Sequence, residues 1–277
     1  MGETRRAGHH PPRSRSLLSV IPSHLRKVLA LLDHERRSLF FAGVAGEMLP
    51  AVTRLHGLAG GWHQISFSAL SERDADGVIQ EQAAHYRSLG CGVEWAAYAH
   101  DGPPDLVRRL ERHGFEVGAR EAVVVLDSRA RPAWFESPSP HRVERVRTYE
   151  QLAAFAHVAE QVFGSDQTPV VRELGARMAE GSAEHVAYLG YDGDVLASVA
   201  RLYTHPGSVF GGLYGGGTLA EHRGRGLYRA TIERRAVDAL LSGARYLRVD
   251  ALPTSQPILE RLGFEVLTYL WPCLLLD

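Results

Sequence analysis

Apolar residues along the chain keep two rhythms, one of helices and one of strands. Leu25, Val28, Leu29 and Leu32 fall on one helical face and predict a helix packed on the body. Leu152, Phe155, Ala159 and Val162 do the same behind Thr148 and Gln151, which are spaced as a capping box. Another helix is expected after Pro169, ending near Gly181. "HRVERV" reads as a short strand. "HVAYLGY" and "DVLASVARLY" read as a hairpin turning at Asp192-Gly193. A helix from about Gly226 to Ser242 turns Ile232, Ala236, Ala239 and Leu240 inward, and Glu233, Arg234, Arg235 and Asp238 to water. "RYLRVDA" alternates Leu247 and Val249 against Arg248 and Asp250, as a strand does. "SQPILERLGF" is a short helix stopped by Gly263, and two last strands follow. The order over this second half is βααβββαβαββ, an α/β sheet with helices on its faces.

The first half repeats parts of the second. "LERHGFEV" at Leu110–Val117 returns as "LERLGFEV" at Leu259–Val266, an offset of 259 − 110 = 149. Each copy precedes an apolar strand ending in Asp, Asp127 and Asp277. The same offset carries Leu70, Glu72 and Gly77 onto Leu219, Glu221 and Gly226. Three anchors at one offset point to duplication. "SRARPAWFESPSP" is a Pro/Ser-rich connection between the halves.

Composition narrows the function. The chain has 277 residues and a formal net charge of −1, which gives no sign of a nucleic-acid or membrane field. Its two cysteines, Cys91 and Cys273, cannot make a disulfide framework and suit a reducing compartment. No HExxH or CxxC spacing exists, so no metal is expected. The segment after residue 16 is interrupted by Pro22, Arg26 and Lys27, unlike a signal core or membrane span. A cytoplasmic location is expected.

The most informative stretch is "FGGLYGGGTLAEHRGRGLY", Phe210 to Tyr228, with seven glycines in nineteen residues. Arg223–Tyr228 would turn a strand into a helix. A helix start offers unpaired N–H groups and the positive end of the macrodipole. Gly224 and Gly226 admit an anion closely, while Arg223, Arg225 and Arg229 add charge, so a pyrophosphate fits. A P-loop would need GK[ST] here, and a dinucleotide fingerprint would need glycine at Arg229. A solvated glycine-rich turn is the plain alternative.

These residues resemble the acyl-CoA signature of the GNAT N-acyltransferases, [Q/R]xxGx[G/A], through Arg223 and Gly226. Tyr228 departs from it at the sixth position. "ILERLGFEV" resembles the family's helix-to-strand element. The resemblance implies two GNAT-like mixed-sheet domains in tandem, as in mycothiol synthases. Residues 1–16 would be a disordered basic tail, 17–127 a degenerate copy, 128–140 a linker, and 141–277 the complete acetyltransferase domain. It also implies acetyl-CoA as co-substrate, its pantetheine arm pairing with the main chain of Thr218, Leu219 and Ala220. Gly215–Gly217 would clear that approach, and the turn Arg223, Gly224, Arg225, Gly226, Leu227, Tyr228 and Arg229 would hold the diphosphate. At the offset of 149 the first half has Asp74 and Asp76, which would repel a diphosphate there.

The reaction implied is direct attack of an amine, of a small molecule or a peptide, on the thioester. The family's frequent carboxylate on the fourth strand is missing from Ser208–Leu219, and its frequent Tyr is Leu259. Asp250 and Tyr214 are the substitutes for the base, set against plain readings as an Arg248 partner and a packed aromatic. Two other classes stand beside the enzyme: a catalytically silent acyl-CoA-binding module, and a structural or partner-binding protein. A monomer and a homodimer both suit a fused pair of copies.

Overall fold

The structure, a computed structural model, describes residues 21–40, 44–58 and 62–276; the expected tail of residues 1–16 lies outside them. Among the described residues the first half supplies α1 (Ser23–Ser38), β1 (Ala45–Met48), β2 (Val52–Leu58), β3 (Trp62–Ser68) and α2 (Ala75–Ser88). It continues with β4 (Val93–Tyr98), α3 (Leu106–Arg112), β5 (Glu116–Val117) and β6 (Glu121–Asp127). The second half supplies β7 (Val143–Arg145), α4 (Tyr149–Phe163), α5 (Thr168–Ala179), β8 (His185–Asp192), β9 (Val195–Tyr203) and β10 (Phe210–Thr218). It ends with α6 (Leu227–Leu241), β11 (Tyr246–Ala251), α7 (Gln256–Arg261) and β12 (Glu265–Leu275).

All the strands join one mixed sheet in the order β1-β2-β3-β4-β12-β6-β11-β10-β9-β8-β7, with β5 added on β12. The last strand of each half lies in the territory of the other. β6 pairs antiparallel with β11, and β12 pairs antiparallel with β4 and with β6. The two mixed-sheet domains expected in tandem thus form a single sheet. Two closing strands were the wrong expectation: β12 is one strand of 11 residues, shifting register once between Val266 and Thr268. A hairpin back to β11 has no place to go, because β6 already fills that edge.

Helices cover both faces, as unpaired apolar sheet surface requires. On one face α6 and α7 bury Ile232, Ala236, Ala239 and Leu259 against Val124, Leu126 and Leu247. On the same face α2 and α3 pack Ile79, Ala83 and Leu110 against Trp95 and Cys273. On the other face α1 lays Leu25, Val28, Leu29 and Leu32 over Ala96, Tyr98, Val123, Val125, Phe210 and Leu270. The apolar stripe of α1 is buried as expected, each residue at 5% exposure or less. α4 and α5 share that face through Phe155, Leu174, Leu189 and Val199. The Thr148–Gln151 capping box is present.

The repeat has a local structural counterpart. After α3, Gly114 has φ +92° and Phe115 N donates to Leu110 O at 3.1 Å. After α7, at the offset of 149, Gly263 has φ +91° and Phe264 N donates to Leu259 O at 3.1 Å. The connection between the halves is packed. Trp134 is buried, stacks on Phe135, and donates Nε1–H to Leu262 O at 2.9 Å.

Two residues of α6 expected to face water are buried, Glu233 and Arg235. Arg235 reaches three carbonyls, those of Thr231, Arg201 and Tyr214, at 2.9–3.2 Å. Glu233 accepts from Ser139 N at 2.6 Å and pairs with Arg229. A long guanidinium on a core-facing position is satisfied by backbone.

Candidate active site

β10 and β11 run parallel but pair only from Phe210↔Tyr246 to Gly212↔Arg248. Beyond that point β10 follows β9 through a bulge between Tyr214 and Gly217, while β11 follows β6. The sheet therefore opens into a notch, flanked by Tyr214 on one strand and Asp250 on the other.

The glycines of β10 serve the chain's own packing. A Cβ at Gly217 would collide with Val162, and one at Gly212 with the Tyr214 ring. At Gly215, φ is +50° and a Cβ would sit 2.7 Å from Arg201 Nε; at Gly216 it would sit 3.0 Å from an Arg235 nitrogen. The bulge thus makes room for two arginines, where clearance for a pantetheine arm was expected. Of the residues assigned to main-chain pairing, Leu219 donates its N–H to Ala197 O at 2.9 Å. Thr218 O accepts from Arg223 Nε at 3.1 Å. Ala220 opens a short 3-10 turn to His222.

The turn from Arg223 to Gly226 is exposed. Gly224 and Gly226 hold φ of +76° and +91°, and a Cβ at Gly224 would meet nothing within 4 Å. Gly226 is the N-cap of α6 and no side chain caps the helix, so the first-turn N–H groups face out. Leu227 is buried. Tyr228 turns away from the turn: its ring lies 3.2 Å from the Cβ position of Gly216, and its hydroxyl interacts with Ser255. Two of the three arginines are already paired. Arg225 Nη1 donates to Asp192 Oδ2 at 2.7 Å, and Arg229 Nε to Glu233 Oε1 at 2.5 Å. Hydrogen bonding from His222, with Arg225 alongside, holds the Asp192 carboxyl below its ordinary range.

The corresponding corner of the first half is closed by its own acids. Asp76 pairs with Arg109 and accepts from His113 at 3.0 Å, and Asp74 accepts from Ser71 N at 2.7 Å.

On the α1 face the notch opens into a cleft of ≈ 460 Å³ between the C-terminal end of α1, α5 and the sheet. Both halves line it. Glu94, Tyr98 and Glu121 come from the first; Arg201, Tyr214, Arg248 and Asp250 from the second. Tyr214 and Asp250, the two candidates for the base, line this same cleft. Asp250 is held by Arg248 through contacts of 2.8–3.1 Å, and Arg248 also donates to the Tyr98 hydroxyl at 2.7 Å. Burial lifts the Tyr214 hydroxyl above its usual range.

Glu121 was not expected. It opens β6, opposite Leu270, and its carboxylate has no side-chain partner among the described residues. Burial, then the charges of Asp250 and Glu94, push its carboxyl up to about 7. Burial also raises Glu94, which accepts from Gln64 at 2.8 Å. Among the described residues no group of His, Cys, Asp and Glu could hold a metal ion, and no helix is long and apolar enough to cross a membrane.

No family model and no curated protein matches the sequence. Solved structures do match the fold. A GCN5-related N-acetyltransferase from Kribbella flavida has a TM-score of 0.63 at 15% identity, over 90% of this chain and 93% of that one. One from Sphaerobacter thermophilus has a TM-score of 0.55 at 12% identity, over 83% and 81%. A tandem GNAT protein from the clavulanic acid biosynthesis pathway has a TM-score of 0.56 at 12% identity, over 88% and 87%. With its splayed β10 and β11 and an uncapped α6 start after β10, this chain has the fold of these GNAT structures.

Proposed function

We propose that the protein is an N-acetyltransferase, moving an acetyl group from acetyl-CoA to an amine of an acceptor bound in the cleft. The observation that carries this reading is the parting of β10 from β11 past Gly212 and Arg248, beside an acid-lined cleft and on the strand that leads into the open α6 turn. The residues present fit the co-substrate: an exposed, uncapped helix start with Gly224 open beside it can take a diphosphate. Arg223, Gly224, Arg225, Gly226 and the first-turn N–H groups would hold it. The main chain of β10 bordering the notch would hold the pantetheine arm.

Bound there, acetyl-CoA supplies an acyl group activated as a thioester. The remaining tasks belong to this chain. Glu121, poised near neutrality, accepts the proton that an acceptor ammonium must lose. Tyr214, on the cleft face, keeps its hydroxyl proton and serves as donor to the departing thiolate. Asp250, clamped by Arg248, shapes the floor and sustains the charge that raises Glu121.

The halves are read as duplicated copies, 17–127 and 141–277, joined by 128–140. The first no longer binds CoA, its anion corner closed by Asp76, yet it donates Glu121 and one wall of the cleft. A second reading, a silent acyl-CoA-binding module, draws on the engagement of Asp250 by Arg248. Purified protein with acetyl-CoA and a panel of amines decides between them. Amine-dependent thiol release supports the enzyme. Saturable CoA binding without release supports the module.

A further inference from the structure

Three arginines line the cleft, and two of them are paired with carboxylates. Arg36 binds Asp101 through two contacts and Asp33 through one, at 2.8–3.1 Å. Arg248 binds Asp250 and Tyr98. Arg201 differs. It stands on β9, cross-strand from Tyr214, and its guanidinium has no hydrogen bond or ion pair among the described residues. Its nearest carboxylate influence is Glu173, which stands 3.1 Å from His185 Nδ1. Burial disfavours the charged form of Arg201.

Arg201 is half-buried, its guanidinium opens on the cleft without a protein acceptor among the described residues, and arginine does not shed its charge by losing a proton. The chain supplies acceptors to Arg36, Arg235 and Arg248 around the same sheet, and it shapes β10 at Gly215 to admit Arg201. The missing acceptor is then a ligand atom. Two charged side chains of the cleft lack partners among the described residues, Arg201 and Glu121, and both lie within electrostatic reach of Tyr214. They bear opposite charges on either side of the notch, since the sheet order there is β6-β11-β10-β9.

We propose that the cleft takes a zwitterionic acceptor, an amine at the Glu121 side carrying a carboxylate that the fork of Arg201 binds. Guanidinium binds a carboxylate through two parallel N–H donors, a geometry that neither an amide nor a hydroxyl reproduces. The proposal rests on reading the cleft as the acceptor site.

The test uses the full chain and calorimetric titration with glycine, β-alanine, γ-aminobutyrate and δ-aminovalerate, each beside its methylamide. At least one acid is expected to bind ~10-fold tighter than its methylamide, the scale of one charge-assisted contact. Arg201→Gln should bring each pair level, with folding checked by its thermal melt. Should that variant not fold, Arg201→Lys decides, because losing the fork must lower the ratio of acid to amide affinity. A wild type that binds no acid better than its amide overturns the proposal, as does a preference that survives in the variants. Thiol release from acetyl-CoA is measured separately. Acid-selective binding without release leaves the anchor standing and removes the acyltransferase reading; release with no acid preference does the reverse.

Discussion

Arg248 and Asp250, two residues apart on β11, form an ion pair with contacts of 2.8–3.1 Å at the floor of the cleft. Their side chains are 17% and 16% exposed, so the pair is largely withdrawn from water. Removing the carboxylate leaves Arg248 with Tyr98 alone. Asp250→Ala should therefore cost roughly 1–3 kcal/mol of stability, the price of an under-satisfied buried charge. Denaturant melts at pH 7 give the number. A variant as stable as wild type would show that the pair is idle.

Glu121 makes the protein's stability and its activity depend on pH in opposite senses. Its folded pKa of about 7 lies above the ordinary glutamate value of about 4.3. The folded state then holds a proton that the unfolded state has released, so stability falls as pH rises between these values and levels off above 7. Glu121→Gln should match wild type near pH 4 and melt at a higher temperature near pH 8. Activity needs the ionised form, so wild-type kcat/KM should climb through pH 7. In Glu121→Gln it should drop by ~10²–10⁴ and lose that limb. Unchanged turnover in the variant removes Glu121 from the proton path.

What could be read from the residues alone was local. The α1 stripe, the Thr148–Gln151 box and the Asp192-Gly193 hairpin depend on neighbours a few positions away, and all three are present. The exchange of β6 and β12 was not legible. "AVVVL" is apolar on both faces, Ala122 to Leu126 all buried, so its pattern suits any central place in the sheet. Glu121 escaped notice for the same reason: it belongs to the first half in sequence and borders β11 only through that exchange. Arg235 reads as solvent-facing because charge usually marks an exposed face, and two of its three carbonyl partners come from distant strands. The glycine run signalled close approach correctly, but the approaching groups include Arg201, Arg235 and Val162 of the chain itself.

The α6 turn offers a charge test. Arg225 is 56% exposed and rests on Asp192, which leaves it beside the helix start. Arg225→Asp would set a second carboxylate next to Asp192 and copy the first half's Asp76. Acetyl-CoA affinity should fall at least ~10-fold, about the 1.4 kcal/mol of one charge-assisted contact. Asp192→Asn, which releases Arg225 toward the turn, should not weaken binding. Calorimetry on both variants checks the pair of outcomes, and equal affinities for Arg225→Asp and wild type would take the diphosphate away from this turn.

The strand exchange predicts that neither half stands alone. In residues 141–277 expressed by themselves, β11 loses β6 along its whole length, from Tyr246↔Asp127 to Ala251↔Ala122. That strand also carries Val124 and Leu126, both packed in the core with Leu247 and Ile232. Their removal leaves an unpaired central edge beside an apolar surface, a template for association. β12 is left equally without β4, its partner from Leu270↔Tyr98 to Leu275↔Val93. The isolated second half should be insoluble or assemble into exchanged dimers, and mixing it with residues 21–127 should restore a one-to-one complex. Size-exclusion chromatography with light scattering distinguishes these states. A stable, monomeric 141–277 with native-like melting would mean that the exchange is dispensable, and that β12 can fold back onto β11 as an ordinary closing strand.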